Sequence, residues 1–271
     1  MASASLYRCV FITGASSGLG AEFARQLAPV SEVLVLVARR VELLESLAAE
    51  LEAGSPGVQV HCLQADLTRI DQREGVLDSI RSLKLEPDLL INNAGIGDYG
   101  EFSSSDWQKV ESMMRINMEA LTHLTHSLLA GMIKQGAGSI INVSSLASIL
   151  AIPDFAVYAA TKAYVTSFSE ALRIELMDHG IKVLALCPGP VHTGFGKVAQ
   201  REEVSNVTPG GESVYVDAVQ VVEEAICSIQ KNKPRHYPGK KIAFMAAVMS
   251  SLPVFLLRKM MSRRPRRSAS S

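Results

Sequence analysis

No aspartate or glutamate occurs after Glu224, although the whole chain balances 27 basic against 27 acidic residues. Eleven of the basic residues lie between 231 and 271, so the body carries about −11 and the tail about +11. The body's negative charge argues against a highly anionic substrate, a cofactor apart. Cysteine is also scarce: Cys9, Cys62, Cys187 and Cys227 form no C-x-x-C pair, and three fall in or beside strand-like runs. That pattern argues against a disulfide framework or a thiolate metal site and predicts buried thiols. His123 and His126 share a helix face, but nothing nearby completes a ligand set, so no metal is expected. No Pro/Ser linker and no internal repeat interrupts the chain up to about Gln230, which predicts one domain. Only five residues precede the first strand-like run. They leave no room for a signal peptide, and a reducing, cytoplasmic setting is expected.

What is present is an alternation of apolar runs with helical patterns. Strands are predicted at 6–12, 33–37, 58–62, 88–91, 138–143 and 181–186. Helices are predicted at 18–28, 41–53, 71–83, 106–132, 155–178 and 217–230. Runs such as VLVLV and IKVLAL suit strands buried on both faces. The expected fold class is therefore α/β, a doubly wound parallel sheet covered by helices. It would occupy 1–240, with 241–271 as an apolar and basic tail.

Two patterns carry chemistry. The first is Thr13-Gly14-Ala15-Ser16-Ser17-Gly18-Leu19-Gly20 between a predicted strand and a predicted helix. Gly14 permits a tight turn, Gly18 lets backbone N–H groups approach a pyrophosphate, and Gly20 lets the helix pack against the sheet. The helix N-terminus then presents its positive dipole end to the phosphates. The spacing is G-x-x-x-G-x-G and not G-x-G-x-x-G. The second pattern is Tyr158 and Lys162, four residues apart and hence on one helix face, behind Ser144. A cation one turn away is expected to lower the phenol's pKa and make Tyr158 a usable proton donor or acceptor. Ser144 could hydrogen-bond the same substrate oxygen as charge develops on it.

Together with Asn92-Asn93-Ala94-Gly95, Asn117, and Pro188-Gly189-Pro190-Val191 with Thr193, these motifs resemble, in content and order, the short-chain dehydrogenase/reductase family over about residues 6–240. The resemblance implies a Rossmann fold and an NAD(P)-dependent oxidoreductase whose centre is Asn117, Ser144, Tyr158 and Lys162. It implies that Lys162 contacts the nicotinamide ribose and that Asn117 holds a water linking Lys162 to solvent. It further implies that Asp66 and Leu67 contact adenine, that Asn93, Ala94 and Gly95 line the adenosine ribose, and that Pro188, Gly189, Val191 and Thr193 hold the carboxamide end. Helices 106–132 and 155–178 are the usual dimer faces of such proteins, so a homodimer or homotetramer is expected.

Cofactor choice falls at the end of the second strand. A carboxylate there would bind the ribose 2′-hydroxyl of NAD, whereas an arginine accommodates the 2′-phosphate of NADP. The chain has Ala38-Arg39-Arg40 and no carboxylate. Guanidinium forks match phosphate geometry, and two cations at a helix start oppose its dipole unless an anion joins them. NADP(H) is expected, and the position matches the family's NADP-preferring pattern. The segment 194–214 should cover the substrate, and Leu146, Ile149, Leu150, Ile152, Phe155 and Phe195 flank the site. A lipophilic ketone or 3-oxoacyl substrate is expected. The alternative is a cofactor-binding regulator or scaffold without turnover.

The tail holds IAFMAAVMSSLPVFLL, sixteen residues without a charge. A spanning helix needs about 20 residues, and Pro253 would kink this one. Three readings of the tail stand open. It docks on the body or a partner subunit, it lies in a membrane interface through 240–267 with its basic cluster on anionic lipid, or it is a disordered basic end that binds nucleic acid. The last lacks the aromatic and basic interleaving such binding uses. The terminal SRRPRRSASS is expected to be disordered.

Overall fold

The computed structural model describes residues 6–199, 201 and 214–262. Seven parallel strands form one sheet in the order β3-β2-β1-β4-β5-β6-β7. They are β1 Tyr7–Thr13, β2 Ser31–Ala38, β3 Gln59–Gln64, β4 Leu89–Asn92, β5 Gly138–Val143, β6 Ile181–Leu186 and β7 Arg235–His236. The helices are α1 Gly18–Leu27, α2 Val41–Gly54, α3 Ile70–Ser82, α4 Trp107–Met114, α5 Leu121–Gln135, α6 Ala156–Glu175, α7 Phe195–Ala199, α8 Ala218–Gln230, α9 Lys240–Ser251 and α10 Val254–Met261.

Strand alternation builds a core on each face of the sheet. Val10 and Ile12 of β1 join Leu34 and Leu36 of β2 on one face, beneath α1, α2 and α8. Phe11, Val35, Val37 and Leu90 point the other way, toward α3, α5 and α6. Full burial of both faces explains why these strands read as continuous apolar runs. The chain reverses direction across the sheet between β1 and β4, so a crevice opens beyond their carboxyl ends. Thr13 bridges that point: its hydroxyl accepts from the backbone N–H of Asn93 and of Ala94, each at 3.0 Å.

Three features depart from the sequence expectation. The predicted helix 106–132 changes hydrogen-bond register over Arg115–Ala120, a π-helical segment that contains Asn117. Cys227 is exposed on α8, because it falls on that helix's solvent face, whereas Cys9 and Cys187 are buried. Beyond α8 the chain adds edge strand β7 and helices α9 and α10. No single helix among the described residues is long and apolar enough to cross a membrane; α9 and α10 meet at a 115° bend. Pro253 sits at that break, as its fixed φ and missing N–H dictate. Of residues 262–271, for which disorder was expected, Ser262 caps the end of α10 and 263–271 lie outside the described residues.

Candidate active site

The glycine-rich turn forms as its spacing requires. Gly14 and Gly18 have φ of +65° and +58°, in the left-handed region. A Cβ on Gly20 would lie 2.3 Å from the Gly14 carbonyl oxygen, so α1 can approach the turn only with glycine there. Asn93 closes the back of the turn: its side-chain amide donates to the carbonyls of Thr13 at 2.9 Å and Gly14 at 3.2 Å. Ser17 stands at the N-cap of α1. Across the turn, the Thr193 side chain lies 3.4 Å from where a Gly18 Cβ would sit. The loops after β1, β4 and β6 thus meet around one cleft.

Of the two expected arginines, Arg40 reaches the turn. Its guanidinium donates to Ser16 Oγ at 3.0 Å and Ser17 Oγ at 2.8 Å. Arg39 is exposed, and its carbonyl accepts from the Gln64 amide at 3.1 Å. Asp66 shapes the loop after β3 by accepting from the Thr68 N–H at 3.0 Å and the Thr68 hydroxyl at 2.8 Å. Leu67 is buried beside it.

Lys162 and Tyr158 lie one turn apart on α6, and both are buried. The Lys162 ammonium donates to the Val143 carbonyl at 2.8 Å and sits 5.7 Å from the Tyr158 ring centroid. A Cβ on Gly95 would come within 3.4 Å of that ammonium and 3.0 Å of Asn117 Oδ1, which brings these three residues together. Asn117 Oδ1 accepts from the Ile96 N–H; its amide donates to the Ile96 carbonyl and to Thr161 Oγ1, each contact at 3.0 Å. The π-helical register turns Asn117 toward the cleft loop and α6 at once.

Two expectations fail. Ser144 does not meet the phenol. It is buried, donates to the Lys162 carbonyl at 2.8 Å and shares a 2.7 Å hydrogen bond with Thr166 Oγ1. The serine beside the phenol is Ser145, which favours the ionised phenol; its hydroxyl accepts from the Ala147 N–H at 3.1 Å. Nor is the phenol's pKa lowered. Burial pushes Tyr158 up to about 12, only partly opposed by the neighbouring Ser145. The same burial pulls Lys162 down to about 8, with a small opposing influence from Cys187. Desolvation sets the direction, and the Lys162 ammonium, turned to a backbone carbonyl, does not oppose it.

Around the phenol the walls are apolar. Phe155 stacks on Tyr158 with centroids 4.2 Å apart, and Phe195 of α7 lies 5.8 Å away. Met113, Ala147, Ile96 and Ile152 pack in the same cluster. Sequence reasoning missed Asp98, a buried carboxylate that binds Lys109 and Arg201, each at 3.0 Å. Arg201 also donates to Ser104 Oγ at 2.9 Å, which ties the chain after α7 to the rim. Most of the expected covering segment, 202–213, lies outside the described residues.

A sequence profile described as short chain dehydrogenase matches residues 8–204. The chain belongs to the short-chain dehydrogenase family. It is 31% identical over 268 residues to dehydrogenase/reductase SDR family member 7B of Bos taurus, covering 97% of this chain and 82% of the relative. It is 35% identical over 216 residues to a sulfoacetaldehyde reductase of Chromohalobacter salexigens, covering 78% of this chain and 79% of that one. Among solved structures, a short-chain dehydrogenase from Sphingobium yanoikuyae in complex with NADPH superposes with a TM-score of 0.77 at 30% identity, over 97% of this chain and 98% of that one. A bulky-bulky ketone specific alcohol dehydrogenase from Comamonas testosteroni gives a TM-score of 0.76 at 28% identity, over 97% and 96%. Family membership makes this short-chain dehydrogenase an oxidoreductase of the CH–OH/C=O class.

Proposed function

We propose that this short-chain dehydrogenase is an NADPH-dependent reductase of a lipophilic ketone or 3-oxoacyl substrate. The observation that carries the reading is a buried phenol beside Ser145, one helix turn from Lys162 and packed in an apolar cluster. The residues around the glycine turn fit the cofactor. Arg40, Ser16 and Ser17 converge as a donor set for a 2′-phosphate, and the left-handed Gly18 leaves the mouth of the turn without a side chain. Gly14, Leu19 and Gly20 would lie along the pyrophosphate, Asp66 and Leu67 by the adenine, Asn93, Ala94 and Gly95 by the adenosine ribose, and Pro188, Gly189, Val191 and Thr193 by the carboxamide.

When bound, reduced nicotinamide supplies hydride to the carbonyl carbon. Tyr158 stays protonated at neutral pH, since burial holds its pKa near 12, and gives that proton to the carbonyl oxygen as negative charge develops there. Ser145 hydrogen-bonds the same oxygen. Lys162 is near enough to neutrality to return a proton, and Asn117 fixes the Ile96 loop against α6 so that Gly95 leaves room for the ammonium. Phe155, Phe195 and Ile152 exclude water and favour an apolar substrate. A homodimer or homotetramer through α4–α5 and α6 is the assembly proposed, supported by the exposed Trp107, Tyr164 and Ile174 on those helices.

The test is oxidation of NADPH, against NADH, with a panel of aliphatic, steroidal and 3-oxoacyl ketones. Tyr158→Phe should keep cofactor affinity and lose turnover by at least about a hundredfold. Near-normal turnover in that variant would defeat the mechanism. NADPH binding without turnover of any ketone would leave a regulator.

A further inference from the structure

The two helices at the end of the chain share an arrangement that the catalytic reading does not use. One side of α9 is fastened to the body: Ile242 and Ala246 are buried one turn apart, and a Cβ on Gly189 would lie 2.6 Å from Ile242 Cδ1. Helical periodicity turns Phe244 and Val248 to the opposite side. Phe244 is 71% exposed and Val248 43%. Helix α10 buries no residue at all, and Val254, Phe255 and Met260 are each more than half exposed. Lys240 and Lys241 open α9, and Arg258 and Lys259 stand in the last turn of α10. Four further arginines, 263, 264, 266 and 267, follow in the sequence and lie outside the described residues.

We propose that the exposed side of α9 and α10 is a membrane-contact surface whose occupant is the interface of an anionic lipid bilayer. Charge complementarity selects that occupant. The surface carries apolar side chains rimmed by cations, and no acidic residue exists anywhere after Glu224. An interfacial helix needs that combination: its apolar side chains enter the boundary between headgroups and acyl chains while lysine and arginine meet anionic headgroups. A second copy of the chain fits worse, because an isologous contact places the same patch on both partners and would bring these cations together. The pair lies on the bilayer and does not cross it. At 1.5 Å per residue α9 is about 18 Å long and α10 about 12 Å, against a hydrocarbon core of about 30 Å. The 115° bend and the anchoring of Ile242 and Ala246 prevent the two from aligning into one rod. This assignment does not depend on the reductase reading.

The experiment is flotation of the full chain with phosphatidylcholine vesicles, with and without phosphatidylserine, at low and high salt. Two variants accompany it, Phe244→Ser with Phe255→Ser, and Arg258→Gln with Lys259→Gln; neither touches the cleft. The wild type should float with the phosphatidylserine vesicles, and salt should weaken its binding. The arginine–lysine variant should lose about fivefold in affinity per charge removed, and the phenylalanine variant should stay in the bottom fraction. The far-UV circular dichroism and thermal midpoint of both variants should match wild type, which reports that they are folded. Absence of wild-type flotation with anionic vesicles would overturn the proposal, as would undiminished flotation of the phenylalanine variant. A phenylalanine variant that changes the particle size in size-exclusion chromatography would assign the surface to a second copy instead.

Discussion

Replacing Lys162 by methionine should make the protein's stability respond to pH in a way that isolates one buried charge. The ordinary lysine pKa of 10.5 falls to about 8 at this site, principally through burial. Between those two values the unfolded chain binds more protons than the folded one, so wild-type stability rises with pH across that window. Below about pH 8 the folded protein carries the full desolvation penalty of the ammonium. From about pH 6 to pH 10 the wild type should gain about 2 to 3 kcal/mol from this group. Lys162→Met removes that gain. It also leaves the Val143 carbonyl without its 2.8 Å donor, a loss of about 1 to 3 kcal/mol that does not depend on pH. The variant should therefore be close to wild type in stability near pH 6 and clearly weaker near pH 10. Urea unfolding at both pH values measures the change, and Tyr158 is common to both proteins, so its own titration cancels. A stability difference that stays the same within about 1 kcal/mol across the two pH values would refute the buried-ammonium account. Lys162 would then be paired or solvated in a way that the Val143 contact does not describe.

Three further outcomes follow from the geometry. Ser145→Ala should lower kcat by about 10²- to 10³-fold, whereas Ser144→Ala should leave kcat nearly unchanged and lower stability by about 1 to 3 kcal/mol, because it strips a buried partner from Thr166; steady-state kinetics and urea melts on the pair decide it. Arg40→Asp should weaken NADPH by about 10- to 100-fold while NADH gains in relative terms, read as the ratio of kcat/KM for the two cofactors. Gly20→Ala should lower the thermal midpoint and weaken both cofactors together, since its Cβ would fall 2.3 Å from the Gly14 carbonyl; unaltered affinity for both would contradict the packing described for α1.

Much of the fold was legible because its strands are buried on both faces. Runs such as VLVLV need no partner information to be recognised, and six strands appear near their predicted positions. Edge strand β7 escaped because it is two residues long and carries Arg235 and His236, with no apolar run to mark it. The π-helical segment at Asn117 escaped because one extra residue per turn changes hydrogen-bond register without breaking helical periodicity. The two serines show a sharper limit. Ser144 and Ser145 follow β5, and adjacent residues at a strand end face opposite ways, so only one can meet the phenol. Composition does not tell which; the local signal is that Ser145 caps the short turn Leu146–Ile149 through the Ala147 N–H. Misplacing the pKa of Tyr158 has a similar origin. Spacing placed the two side chains one turn apart, but burial, which no linear pattern displays, set the direction of the shift.

Ile242 occupies the space that a side chain at position 189 would need, so α9 and the loop 188–193 share a wall. A substance that draws α9 outward must loosen that loop, and whatever stiffens the loop must resist the withdrawal. Thermodynamic reciprocity makes the two effects equal in size. On the proposed reading, occupancy at the far end of the chain and grip on a dinucleotide would be one measurement, which can be taken from either side.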